Sequence, residues 1–125
     1  MARILSAIDT ASETFRANSA HNKGLAEELR RRQHAVRRER PQRDIERLAR
    51  QNKMYPRDRL EALLDPGTPF LEFSTLAANM AYDGEAPGAG QISGIGIDAG
   101  QEVVIHADDS SIKGGAWYPL SVKKI

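Results

Sequence analysis

The sequence predicts an α/β protein in two parts: an N-terminal helical segment over residues 1–55, and the start of a mixed domain over 56–125. Three observations carry this. Up to about residue 50, sparse apolar residues recur at helical spacing among many charges. From Phe70 the pattern changes to short β-rich runs separated by turn residues. The last stretch then reads as a strand, a polar loop and the first turn of a helix.

Thr10-Ala11-Ser12-Glu13 fits a capping box, so a helix is expected to begin there. Leu25, Leu29 and Val36 follow at four and seven residues and form a thin apolar stripe on a highly charged cylinder. Such a stripe buries little by itself and needs a partner, which points to a homo-oligomer. Pro41 should end or kink this helix. A short second helix is predicted from about Asp44, with Ile45, Leu48 and Ala49 inward. Tyr55-Pro56-Arg57-Asp58 opens a third, because proline at the first helical position loses no intrahelical bond and Asp58 suits the positive helix end. Leu60, Leu63 and Leu64 are its expected buried face, and Asp65-Pro66-Gly67 stops it.

Phe70–Phe73 reads as a short strand and residues 78–90 as a Gly-rich loop. Gln91–Ile97 and Glu102–Ala107 read as the arms of a hairpin around Asp98-Ala99-Gly100-Gln101. Gly94 and Gly96 imply close approach by a backbone or side chain. Asp108–Gly115 is a polar loop, and Pro119 opens a helix that Val122 and Ile125 would continue. A strand–loop–helix unit normally continues into a parallel strand, so the sequence reads as a piece of something larger.

Composition narrows the function classes. The chain has 125 residues, 28% charged and 40% hydrophobic, with a formal net charge of +1. No apolar run approaches membrane-spanning length. Asp9 interrupts the short apolar start well below signal-peptide length, so the N-terminus reads as that of a cytoplasmic protein. The absence of cysteine excludes a thiolate nucleophile, disulfides and a cysteine zinc site. His21, His34 and His106 lack metal-ligand spacing, so no metal is expected.

Residues 30–50 hold nine arginines. They could bind nucleic acid or phosphate, but residues 16–54 contain no aromatic to stack on bases. A solvated face or a partner interface is the expected role, without nucleic acid. His106 lies beside Asp108 and Asp109 and could act as a general base. No serine or cysteine completes a triad, however, and the plainer account is a strand histidine with loop carboxylates capping turns. In Ile112-Lys113-Gly114-Gly115 the lysine precedes the glycines, so this is not a P-loop. The segment is either a tight turn or an anion site whose amides approach a ligand ahead of a helix start.

Three ordered segments carry a family resemblance. Pro56-Arg57-Asp58-Arg59-Leu60, followed by Leu63-Leu64-Asp65-Pro66-Gly67-Thr68-Pro69-Phe70-Leu71-Glu72, is similar to a segment of acyl-CoA carboxylase β subunits. So are Gly94-Ile95-Gly96 and Ala107-Asp108-Asp109-Ser110-Ser111-Ile112-Lys113-Gly114-Gly115. Tyr118-Pro119-Leu120-Ser121-Val122-Lys123-Lys124 and Phe15-Arg16-Ala17-Asn18 resemble the methylcrotonoyl-CoA carboxylase subgroup. Asp108 stands where the family usually has Asn, and Trp117 is less usual. The bacterial acetyl-CoA carboxylase β subunit, with its four-cysteine zinc ribbon, is set apart by the lack of cysteine.

The resemblance implies a partial crotonase-like (ClpP/crotonase) carboxyltransferase N-domain preceded by charged helices. It implies transfer of a carboxyl group from carboxybiotin to an acyl-CoA such as methylcrotonoyl-CoA. Biotin would ride on a partner, a biotin carboxylase or biotin carrier subunit, and no cofactor would bind this chain directly. Backbone amides, not side-chain acids, would stabilise the enolate and the ureido oxygen. The family's oxyanion elements would lie past Ile125, so no catalytic residue is assigned and the chain is expected to be inactive alone. Ile112, Lys113, Gly114 and Gly115 would lie near the CoA site. The competing reading is a non-catalytic remnant or a protein-interaction module with a charged helical arm.

Overall fold

The element order is α1 (Glu13–Arg38), α2 (Gln42–Arg50), α3 (Pro56–Leu63), β1 (Leu71–Phe73), β2 (Gln91–Asp98), β3 (Gln101–Asp108) and α4 (Pro119–Lys124). Short 3-10 turns lie at Ala81–Gly84, Pro87–Gly90 and Lys113–Gly115. This computed structural model describes residues 5–125, so the reading of the first residues as an ordinary N-terminus lies partly outside the described residues. The chain divides into two compact units, Met1–Arg32 and Gln33–Ile125.

In the first unit the helix begins at Glu13, not at Thr10. The Asp9 carboxylate accepts the Ala11 N–H at 2.9 Å and turns the chain there. Ser12 therefore caps the helix, its hydroxyl accepting the Phe15 N–H at 3.2 Å. Of the expected stripe, Leu25 is 56% and Leu29 47% exposed, whereas Val36, beyond this unit, is half-buried. Glu28 holds Arg31 and Arg32, each at 2.7 Å.

The second unit is built on an antiparallel sheet in the order β1-β2-β3. Gly94 of β2 lies between Glu72 of β1 and Ile105 of β3. One sheet face carries Ile92, Gly94 and Gly96, whose β3 partners are Ala107, Ile105 and Val103. Leu60, Leu64 and Phe70 pack onto this face to form the core. The two glycines leave room for them. A Cβ at Gly96 would lie 2.5 Å from Leu64 Cδ2, and one at Gly94 would strike the Phe70 ring.

Three inward assignments fail for one reason: helical periodicity gives a face but not its limits. Ile45 and Ala49 are exposed and only Leu48 of α2 is buried. Leu63 is 52% exposed, whereas Leu60 and Leu64 are buried. The hairpin turn puts Ala99 and Gly100 at positive φ, 50° and 75°. Two-residue hairpin loops require that geometry, which suits glycine but strains alanine. Asp65 compensates, accepting the Ala99 N–H at 3.0 Å and the Gly100 N–H at 2.8 Å. The chain after α3 is thereby tied to the far end of the hairpin.

Pro119 opens α4, with Val122 left 60% exposed. Lys124 Nζ donates to the Gly88 and Gln91 carbonyls at 2.9 and 2.6 Å. Burial lowers its pKa to about 8.

The packing at the two glycines makes a stability prediction. At Gly94 the obstacle includes the Leu71 carbonyl oxygen, 2.5 Å from an added Cβ, which the β1–β2 pairing holds in place. At Gly96 it is a flexible leucine end. Gly94→Ala should cost about 1–3 kcal/mol, with Gly96→Ala costing less. Thermal melts of the two variants test this, and equal melting temperatures would contradict it.

Candidate functional site

Residues Asp109–Gly115 leave the end of β3 and form the loop singled out in the sequence. Asp109 is 2% exposed and its N–H donates to the Gly90 carbonyl at 2.9 Å. Its carboxylate accepts the Ser111 N–H at 3.0 Å and the Ser111 hydroxyl, so it does cap a turn. It also faces a cation. Arg40 Nη2 reaches Asp109 Oδ2 at 2.8 Å, and the two side chains are 3% and 2% exposed. Arg40 Nε donates to the Ser111 hydroxyl at 2.9 Å. Arg47, from α2, donates to the Ser110 and Ser111 carbonyls at 3.2 and 3.3 Å.

The loop forms one wall of a cavity of about 600 Å³. Ile112 and Lys113 line it from the loop, and Arg43, Arg47 and Arg50 from α2. Part of the arginine-rich stretch thus meets Ile112 and Lys113, while Gly114 and Gly115 do not line the cavity. Glu85 lines it too and holds Lys113 at 2.7 Å. The hydrogen bond that Lys113 donates to the Glu85 carboxylate raises the lysine pKa above its ordinary value.

Lys113, Gly114 and Gly115 all have positive φ, 47°, 72° and 89°. The two glycines make that run of left-handed backbone accessible. The Ile112 N–H is already given to Asp109 and the Gly115 N–H to Ile112. The glycines do not run straight into a helix: Ala116, Trp117 and Tyr118 intervene, and the Leu120 N–H of α4 donates to the Tyr82 hydroxyl at 3.1 Å. The cations at this cavity are therefore Lys113 and the arginines, offset by Glu39, Asp44, Asp83 and Glu85 in the same lining, and no helix end adds to them.

His106 is exposed, its Nδ1 2.9 Å from the Ser93 hydroxyl. Asp108 shares its face but accepts from Gln91 Nε2 at 3.1 Å and from Trp117 Nε1 at 2.8 Å. His106 thus meets a serine hydroxyl, but the Asp108 carboxylate is engaged by Gln91 and Trp117 and not by the His106 ring. Trp117 and Asp108, the two departures from the resembling segment, bond to each other.

A second buried ion group escaped the sequence. Arg57 holds Glu72 through two bonds, 3.0 and 2.8 Å, and Arg37 adds one at 2.9 Å. The Glu72 side chain is 3% exposed. Burial alone would raise its pKa, but hydrogen bonds and charge from Arg57 and Arg37 outweigh this and hold the carboxyl below its ordinary value. Both Arg57 and Glu72 stand in the first resembling segment, which was the available signal.

Similarity to solved structures defines the class. The β subunit of Pseudomonas aeruginosa geranyl-CoA carboxylase matches 97% of this chain and 23% of its own length, with TM-score 0.63 and 32% identity. The transcarboxylase 12S subunit, solved as a hexamer assembly, matches 75% of this chain and 19% of its own, with TM-score 0.65 and 25% identity. The fold is thus that of a crotonase-like carboxyltransferase, in part. A family profile described as carboxyl transferase domain matches residues 48–125, and the chain belongs to that family. The biotin-dependent 3-methylcrotonyl-coenzyme A carboxylase beta1 subunit of Mycobacterium tuberculosis is 54% identical over 72 residues, 58% of this chain and 14% of that protein. The mitochondrial methylcrotonoyl-CoA carboxylase beta chain of Arabidopsis thaliana is 38% identical over 117 residues, 94% of this chain and 20% of that protein. The chain therefore spans a fifth or less of the length of these two relatives. Among the described residues no helix is long and apolar enough to cross a membrane.

The Glu72 group predicts a pH dependence. A carboxyl with a lowered folded pKa contributes stability that is complete above the ordinary glutamate value, about 4.3, and is lost as pH falls through the folded value. Glu72→Gln leaves two guanidinium groups uncompensated and should cost about 3–5 kcal/mol at pH 7. The difference from wild type should shrink as the pH is lowered past 4. Urea denaturation across pH 3–7 measures it, and a constant difference would refute the assignment.

Proposed function

We propose that the chain is part of a carboxyltransferase subunit that moves a carboxyl group from carboxybiotin to an acyl-CoA such as methylcrotonoyl-CoA. Its own contribution is one wall of the acyl-CoA site, with Ile112, Lys113, Gly114 and Gly115 against the phosphate-bearing end of CoA. The observation that carries this is the cavity where Lys113 and Ile112 face Arg43, Arg47 and Arg50. Ammonium and guanidinium groups suit phosphates, and Ile112 supplies an apolar surface beside them. The proposed division remains a helical segment over 1–55 followed by the start of the N-domain over 56–125.

Biotin fits this cavity poorly, since a charged lining does not suit its uncharged bicyclic ring. We therefore place biotin on a partner subunit. The two oxyanion elements implied by the resemblance are not among residues 1–125. The chain alone should bind CoA weakly, because half a site lacks preorganisation. The alternative, a non-catalytic interaction module, is favoured by the uncovered leucines of α1.

Two measurements test these proposals. In an amide chemical-shift titration with CoA, Ile112–Gly115 should shift together with Arg47 and Arg50, and Lys113→Ala should weaken binding about fivefold, the equivalent of roughly 1 kcal/mol. In the same preparation, carboxyl transfer from carboxybiotin to methylcrotonoyl-CoA should be absent. Shifts confined to the arginines, with 112–115 silent, would remove the site assignment, and full turnover would remove the proposed inactivity. Self-association is tested separately: sedimentation should show a concentration-dependent oligomer that Leu25→Glu/Leu29→Glu abolishes, whereas a monomer at all concentrations would exclude it.

A further inference from the structure

We infer that Arg40 and Arg47 form a clamp that positions the CoA-site loop, so that the segment before the family-matched region is a working part of the site. The inference rests on the CoA reading for its purpose, but its geometry stands independently. Both arginines precede residue 48, where the family match begins. Across more than sixty residues of sequence, Arg40 reaches Asp109 and Ser111, and Arg47 reaches Ser110 and Ser111.

Arg40 is built for position. Its side chain is 3% exposed, and four N–H groups are engaged. Nε binds the Ser111 hydroxyl and one Nη2 hydrogen binds Asp109, at 2.9 and 2.8 Å. The others bind the Val36 and Glu39 carbonyls at 2.9 and 2.7 Å. The guanidinium is thus fixed to the end of α1 on one side and to the loop on the other. The planar fork gives directions that a lysine ammonium, a single charged point, cannot reproduce. Arg47 takes the two carbonyls that follow and is itself held by Asp44 at 2.9 Å. Ile112 and Lys113 come next in the chain, so the clamp sets where they enter the cavity. Neither arginine need touch the reacting atoms, and both are positioning residues.

The second buried pair supplies a control. Arg57 and Glu72 are buried comparably, with side chains 9% and 3% exposed, but join α3 to β1 and not to the loop. A merely structural role would make Arg40→Lys and Arg57→Lys alike. The experiment compares the variants by amide hydrogen exchange without ligand, at a temperature where β2–β3 amides remain protected in both. In Arg40→Lys the Ser111, Ile112 and Gly115 amides should exchange about tenfold or more faster, as expected on losing bonds between charged groups, and CoA should bind correspondingly more weakly. In Arg57→Lys the loop amides should keep their rates. Should Arg40→Lys lose β2–β3 protection, Arg47→Gln, at a partly exposed position, reads the same loop amides in the same direction. Unchanged loop exchange in the folded Arg40 or Arg47 variant, or equal loosening by Arg57→Lys, overturns the inference. If the loop loosens as expected but wild-type chain does not bind CoA, the clamp stands and the CoA reading fails.

Discussion

The buried Arg40–Asp109 pair is the constraint on which the second unit's irregular half depends. Removing a guanidinium and a carboxylate from water is costly, and their attraction repays it only if geometry is good and the remaining hydrogen-bonding groups are satisfied. Here they are satisfied by Ser111 and by the Val36 and Glu39 carbonyls. Such a pair adds little net stability, but losing either member would strand a charge among buried groups. The end of α1 and the loop after β3 are therefore obliged to stay together. Tyr55, whose hydroxyl donates to the Arg37 carbonyl at 3.1 Å, brings the start of α3 to the same helix end.

The regular half rests on a different condition, the absence of side chains. With Gly94 and Gly96 on the face of β2, the Phe70 ring and Leu64 come down onto the central strand. Leu64 immediately precedes Asp65, whose carboxylate holds the hairpin turn and whose N–H donates to the Ile97 carbonyl at 2.8 Å. One tripeptide, Leu63-Leu64-Asp65, thus ends a helix, fills the core and caps a hairpin. This is why that segment, together with Gly94-Ile95-Gly96, carried so much of the resemblance.

What the sequence disclosed divides along the same line. The hairpin, the proline-led starts of α3 and α4, and the purpose of the two glycines depend on short-range chemistry and were legible. The helix start near Thr10 was misplaced by two residues because Ser12 and Thr10 are equivalent by type, and only the turn at Asp9 separates them. Leu63, Ile45 and Ala49 were assigned inward because a period marks a face, while burial depends on what arrives from elsewhere. The arginines were the largest omission. Their abundance suggested solvated or interfacial charge, and nothing local distinguishes Arg40 and Arg47 from Arg43 and Arg50. The distinction lies in Asp109 and Ser111, about seventy residues away.

The cavity's charge has a consequence for recognition. Its cations are not in free excess, since Lys113 is engaged by Glu85 and Arg47 by Asp44. A net charge of +1 gives the whole chain little long-range attraction for anions. An anionic ligand entering here must displace Glu85 from Lys113, exchanging one exposed ion pair for another at small net gain. Selectivity must then come from several contacts made at once, at distances fixed by the loop and by α2. That requirement is geometric, and the two arginines that join α2 and the end of α1 to the loop are what meet it.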